Sequence, residues 1–168
     1  IGASFANSKM LYFGAFGDLA FFYDMNSLGN RHVGNNLRIL LVNNGCGTEF
    51  KLRTHPCHAF GEEANAYMAA AGHFGNKSKE LVRHYTEDLG FKYFSASNKE
   101  EFNAIINEFV SPAISYSMIL EVFTDYTFED EAYAMIRNIV VYQTAATKKA
   151  LKEMGEKVLG KGTLSKLR

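Results

Sequence analysis

Cysteine is scarce in this chain: Cys46 and Cys57 are its two thiols. Two are too few for a disulfide framework, which favours a reducing, cytoplasmic setting. Charge of one sign is not in excess either, because Lys plus Arg and Asp plus Glu number 18 each. That balance removes the electrostatic case for a nucleic-acid partner and leaves no acidic tail for a charge-driven one. No run approaches the eighteen or more apolar residues of a membrane span, so none is expected. The opening Ile1-Gly2-Ala3-Ser4-Phe5-Ala6 has no basic segment before a long apolar one and does not read as a secretion signal. Internal repeats and low-complexity runs are missing too.

What is present is an ordinary globular balance. Of 168 residues, 47 % are hydrophobic and 21 % charged, enough for one domain with a sizeable core. Strand-like segments alternate with helical patterns. Ile1 to Ala6 reads as the end of a helix. Lys9 to Phe16 is a short, continuous apolar run, which suits a buried parallel strand. Ala20 to Leu28 has Phe21, Met25 and Leu28 at helical spacing, and Gly29-Asn30 closes it. Arg38 to Val42 is the strand richest in β-branched and aliphatic residues.

A long irregular stretch, Lys51 to Gly61, follows and suggests a part in covering a ligand. Glu62 to Ala71 and Lys79 to Leu89 read as helices, the second capped by Ser78. Gly72 to Asn76 separates them. Phe91 to Ala96 reads as a strand. Lys99 to Val110 reads as a helix capped by Ser97 or Asn98, with Pro112 as a stop. Met118 to Phe123 is a fourth strand. Phe128 to Met154 carries a long helical pattern with Ala132, Met135, Ile136, Ile139 and Val140 on one side, before a basic tail, Gly160 to Arg168. This alternation predicts an α/β domain with a mostly parallel sheet, arranged as three layers, α/β/α.

The strand reading places two turns on one edge of that sheet. Gly17-Asp18-Leu19-Ala20 follows the first strand, and Asn43-Asn44-Gly45-Cys46-Gly47 follows the second. The carboxyl edge of an open parallel sheet is where ligands bind. The turns supply a carboxylate, two carboxamides and approachable backbone. These are hard oxygen donors of the kind Mg²⁺ takes, usually together with phosphate oxygens. A carboxylate facing a diphosphate repels it, and a divalent cation between them reverses the sign. On their own, Asp after Gly and Asn after a strand are also common turn residues.

Gly-Asp-x followed about 26 residues later by Asn-Asn resembles the diphosphate-binding motif of thiamine diphosphate enzymes. The continuation Gly17-Asp18-Leu19, then Tyr23-Asp24-Met25-Asn26-Ser27-Leu28, is similar to the menaquinone-pathway branch, the MenD-type SEPHCHC synthases. The likeness runs from about Lys9 to Phe50 and thins beyond. It implies the thiamine diphosphate-binding fold, with thiamine diphosphate and Mg²⁺ as cofactors. Asp18, the side chain of Asn44 and the main-chain carbonyl of Cys46 would hold the metal. Gly17, Leu19, Ala20, Gly47 and Thr48 would complete the cofactor-binding turns.

The resemblance further implies a 2-oxoacid substrate, and decarboxylation with transfer of the acyl unit to an acceptor. The catalytic glutamate would come from a pyrimidine-binding domain, typically of a neighbouring subunit in a homodimer or homotetramer. No residue of this chain would then be catalytic by itself. The whole of residues 1–168 is expected to be one diphosphate-binding domain, a fragment of a longer enzyme. The missing initiator Met and the apolar opening agree with that expectation. Glu49 stands where MenD-type enzymes carry an apolar residue beside the cofactor, so the resemblance implies a substrate pocket that is expected to differ.

A simple 2-oxoacid decarboxylase is the alternative within this class. A non-catalytic phosphate- or nucleotide-binding α/β module is the alternative outside it. The remaining motifs have plainer readings. His55-Pro56-Cys57-His58 lacks zinc spacing and a second ligand pair, and reads as a proline turn. Cys46 reads as an idle buried thiol. Glu62-Glu63 suits a solvated helix start. His32, His73 and His84 have no partner legible in the sequence.

Overall fold

The computed structural model describes residues 1–66, 78–113 and 115–139. The chain divides into two units, Ile1–Asp130 and Glu131–Arg168. The first contains the sheet. Its strands are β1 (Tyr12–Gly17), β2 (Leu37–Asn43), β3 (Lys92–Ala96) and β4 (Met118–Phe123), in the order β1-β2-β4-β3. All pairings are parallel, with Gly14 opposite Ile39, Leu41 opposite Glu121 and Ser95 opposite Glu121. The sheet is flanked by helices on both faces, so the predicted three-layer α/β/α arrangement is the one found.

Handedness explains the layers. The steps from β1 to β2 and from β2 to β3 move across the sheet in one direction; the step from β3 to β4 returns. Right-handed crossovers therefore put α1 (Asp18–Asp24) and α2 (Leu81–Asp88) on one face and α3 (Lys99–Phe109) on the other. The period-2 alternation of the central strands feeds both faces. Leu37, Ile39, Leu41 and Ile119 pack with Phe21, Phe22, Val82 and Phe91. Met118 and Leu120 pack with Ala96 and Phe109, against Ile105 and Ile106. Arg38 is fully buried, and its guanidinium donates to the carbonyls of Phe109, Asn35, Leu37 and Tyr116, tying the start of β2 to the end of α3.

Several expected elements differ in detail. Ile1 to Ala6 is a short 3₁₀ turn, Gly2–Phe5, rather than an α-helix end. The helix expected over Ala20 to Leu28 starts earlier, at Asp18, and tightens into a 3₁₀ segment, Met25–Gly29. The stretch after β2 is not irregular throughout: it holds 3₁₀ segments Thr48–Lys51 and Pro56–Ala66, the second broken at Gly61. The expected α-helix from Glu62 is 3₁₀ as far as Ala66. Its remainder, the break Gly72 to Asn76 and His73 lie outside the described residues.

Ser78 does not cap α2; Glu80 holds that position, and Ser78 Oγ accepts the Glu80 N–H in the preceding turn. Strand β1 reads as buried in sequence but lies at the sheet edge, with Phe13 and Phe16 exposed. Of the long C-terminal pattern, α4 spans Glu129–Ile139. Val140 to Met154 and the basic tail lie outside the described residues. No helix among the described residues is long and apolar enough to cross a membrane.

Candidate functional site at the carboxyl edge of the sheet

Strands β1 and β2 run parallel in register, Gly17 opposite Val42, so both chains leave the sheet at the same edge. Each then turns sharply. After β1, Gly17 is extended and Asp18 opens α1. After β2, Gly45 takes a φ of 82°, in the left-handed region that favours glycine. Its tightness brings the second turn back over the first.

The two turns touch. Asp18 is buried, and its Oδ2 accepts the Gly45 N–H at 2.6 Å. Its Oδ1 accepts the Leu19 N–H at 2.7 Å. A Cβ on Gly47 would stand 2.7 Å from Leu19 Cδ2 and 3.3 Å from the Phe50 ring, so only glycine admits this approach without displacing them. Asn44 Oδ1 accepts the Cys46 N–H at 2.9 Å, and the Cys46 carbonyl accepts the Thr48 N–H at 3.1 Å. Asp18, Asn44, Cys46, Gly47 and Thr48 therefore share one corner, beside Gly17 and Leu19. Ala20 sits exposed on the first turn of α1.

Three participants were missed in the sequence. Glu129 accepts from Asn44 Nδ2 at 2.6 Å and from the Thr48 hydroxyl. Glu121 and Tyr93 lie beneath the second turn. Glu121 Oε1 accepts from Asn43 Nδ2 at 2.6 Å, and Oε2 accepts from the Tyr93 hydroxyl at 2.6 Å. The signal for Glu121 was there: a lone carboxyl within the apolar run Met118 to Phe123 is seldom idle. Glu129, at the start of a helical pattern, gave none.

Burial dominates the electrostatics. It pushes the Glu121 carboxyl up, against the lowering effect of its Tyr93 and Asn43 hydrogen bonds. It also pushes the Tyr93 phenol up, reinforced by the bond to Glu121. The Cys46 thiol is raised by burial first and by Asp18 second, which disfavours a nucleophilic thiolate. Among the described residues no three His, Cys, Asp or Glu side chains cluster to hold a metal. His55 Nδ1 accepts the Cys57 N–H, and His58 Nδ1 contacts the Lys51 carbonyl, so both rings engage the loop backbone.

A parallel sheet between helical layers, with two polar turns clasped at its carboxyl edge, defines a three-layer α/β domain. The proteins this chain matches are more specific. It is related to the 2-succinyl-5-enolpyruvyl-6-hydroxy-3-cyclohexene-1-carboxylate synthases, the SEPHCHC family that the Gly17-to-Leu28 string resembles. It is 36 % identical over 121 residues to the Bacteroides fragilis enzyme, covering 71 % of this chain and 20 % of that protein. Identity to the Phocaeicola vulgatus enzyme is 38 % over 126 residues, 74 % of this chain and 21 % of that protein. With the Flavobacterium johnsoniae enzyme it is 30 % over 131 residues, 78 % and 22 % respectively. The chain spans about a fifth of the length of these curated relatives. No family model matches it.

Proposed function

We propose that this chain is the diphosphate-binding part of a thiamine diphosphate- and Mg²⁺-dependent enzyme that acts on a 2-oxoacid in the manner of a SEPHCHC synthase. The observation that carries the reading is the Asp18–Gly45 hydrogen bond, which joins the two turns at 2.6 Å. The donor set fits the cation. A carboxylate (Asp18), a carboxamide oxygen (Asn44) and a main-chain carbonyl (Cys46) are all hard oxygen ligands, and one negative charge among them leaves the cation able to hold phosphate oxygens. The close approach of Gly47 to Leu19 leaves backbone, not side chain, along that corner.

Thiamine diphosphate supplies carbanion stabilisation when bound. The residues here bind and orient. Asp18 holds the first turn against the second through Gly45. Thr48 and Glu129 hold the Asn44 carboxamide, leaving its oxygen directed by the turn. The activating glutamate belongs to a pyrimidine-binding domain outside this chain, in a dimeric or tetrameric cytoplasmic enzyme. Alone, the chain is expected not to decarboxylate a 2-oxoacid.

Calorimetric titration of thiamine diphosphate, with and without Mg²⁺, tests the proposal. Binding is expected to need Mg²⁺ and to weaken more than about tenfold in Asp18→Ala, as loss of a ligand or its support does. Binding that ignores both Mg²⁺ and Asn44→Ala would instead make the chain a phosphate- or nucleotide-binding module.

A further inference from the structure

Glu121 has no role in the reading above, and the sheet has no need of it. Strand pairing runs through backbone, and a fully buried carboxyl in an apolar strand costs stability that a leucine of similar volume would not. Its hydrogen bonds show what it does instead. Tyr93, on β3, donates to Oε2; Asn43, at the end of β2, donates to Oε1. The other end of the same carboxamide, Asn43 Oδ1, accepts the Gly45 N–H at 3.0 Å. That N–H is the group that also reaches Asp18. A polar line thus crosses from β3 through β4 and β2 into the second turn and ends on the first. Asn43 is itself buried, so water does not replace these partners cheaply.

We propose that Glu121 is a positioning residue: clamped by Tyr93, it fixes the Asn43 carboxamide so that the Gly45 N–H is presented to Asp18 and the two turns keep the spacing that binds cation and diphosphate. The last clause rests on the proposed function; the brace does not. Two glycine and asparagine turns have many accessible shapes, and the buried line selects one. The conservative variant Glu121→Gln keeps an acceptor for Asn43 and offers an N–H to the Tyr93 oxygen. Glu121→Leu keeps volume and removes both partners.

The test uses the full chain and two readouts. Amide exchange at Gly45, followed by NMR without any ligand, reads the brace. Mg²⁺-dependent thiamine diphosphate affinity reads its consequence. In Glu121→Leu the Gly45 amide is expected to exchange about tenfold faster, and affinity to fall about tenfold, as for other supports of a metal ligand. Glu121→Gln is expected to restore both to near wild type, which a merely structural role would not require. Tyr93→Phe, a milder change that also serves if Glu121→Leu does not fold, is expected to speed Gly45 exchange in the same direction. Unchanged exchange in Glu121→Leu or in Tyr93→Phe, or a Gln variant no better than Leu, would overturn the brace. Failure of the wild type to bind magnesium and thiamine diphosphate would sink the proposed function, while Gly45 exchange would still decide the brace.

Discussion

A thiol held beside a carboxylate and away from water is a poor nucleophile. Cys46 is in that position, 4 % exposed, with its titration moved upward first by burial and then by Asp18. At any given pH its thiolate fraction is below that of an ordinary cysteine, because a raised value shifts ionisation to more alkaline solution. Cys57 is only half-buried. Iodoacetamide at pH 7.5 is therefore expected to modify Cys57 first. Cys46 should react more slowly until the protein unfolds, as followed by peptide mass spectrometry. Equal rates at neutral pH would contradict the buried turn. Single positions differ in how far they could be read from sequence. The turns that hold Asp18 and Asn44 were legible because each follows a strand, and a strand end fixes where a turn must be. Tyr93 was not, because an aromatic in a strand ordinarily reads as core. Its polar partner Glu121 is 28 residues away in sequence.

At the scale of elements, legibility followed burial. The fourth strand runs over Met118–Phe123 as expected, and the second is one residue longer at each end than the expected Arg38 to Val42. Both are central, and burial on two faces writes a continuous apolar run. Helix ends obey weaker signals. Asn98 does cap α3, where its Oδ1 accepts the Glu101 N–H at 2.9 Å and Glu101 in turn accepts the Ser97 N–H at 2.7 Å. Ser78 offered the same chemistry yet closes a turn two residues too early. Nothing local separates these cases, since both are small polar residues before an amphipathic run. The cap makes a definite prediction. Asn98→Ala removes an acceptor from the first turn of α3 and should lower unfolding free energy by about 1 kcal/mol. Urea denaturation reads the loss as a lower midpoint at unchanged slope. A change under a few tenths of a kcal/mol would mean that the Glu101–Ser97 bond alone secures that end.

For the molecule as a whole, the sheet ends on a strand built for its middle. β1 is Tyr12-Phe13-Gly14-Ala15-Phe16-Gly17, without a charge or a proline. Edge strands usually carry such residues to discourage further pairing. Phe13 is 55 % exposed and Phe16 is 42 % exposed, and alternation places them on opposite faces. A cavity of about 400 Å³ adjoins Phe16, lined by Tyr12, Phe21, Leu28 and Ile39. Apolar surface of this kind, on the edge strand of the described sheet, favours association. The 168-residue chain on its own is therefore expected to self-associate. Its weight-average mass in analytical ultracentrifugation should rise with concentration. Lysine at the edge opposes pairing by charge and by the cost of burying it, so Phe13→Lys and Phe16→Lys should each move the distribution toward monomer. Circular dichroism should be retained, because both rings are exposed and neither is a member of the buried clusters, Phe13 meeting one of them only edge-on at Phe109. A wild-type mass that stays monomeric at every concentration would show that the strand edge is protected in some other way, and the lysine variants would then behave as the parent does.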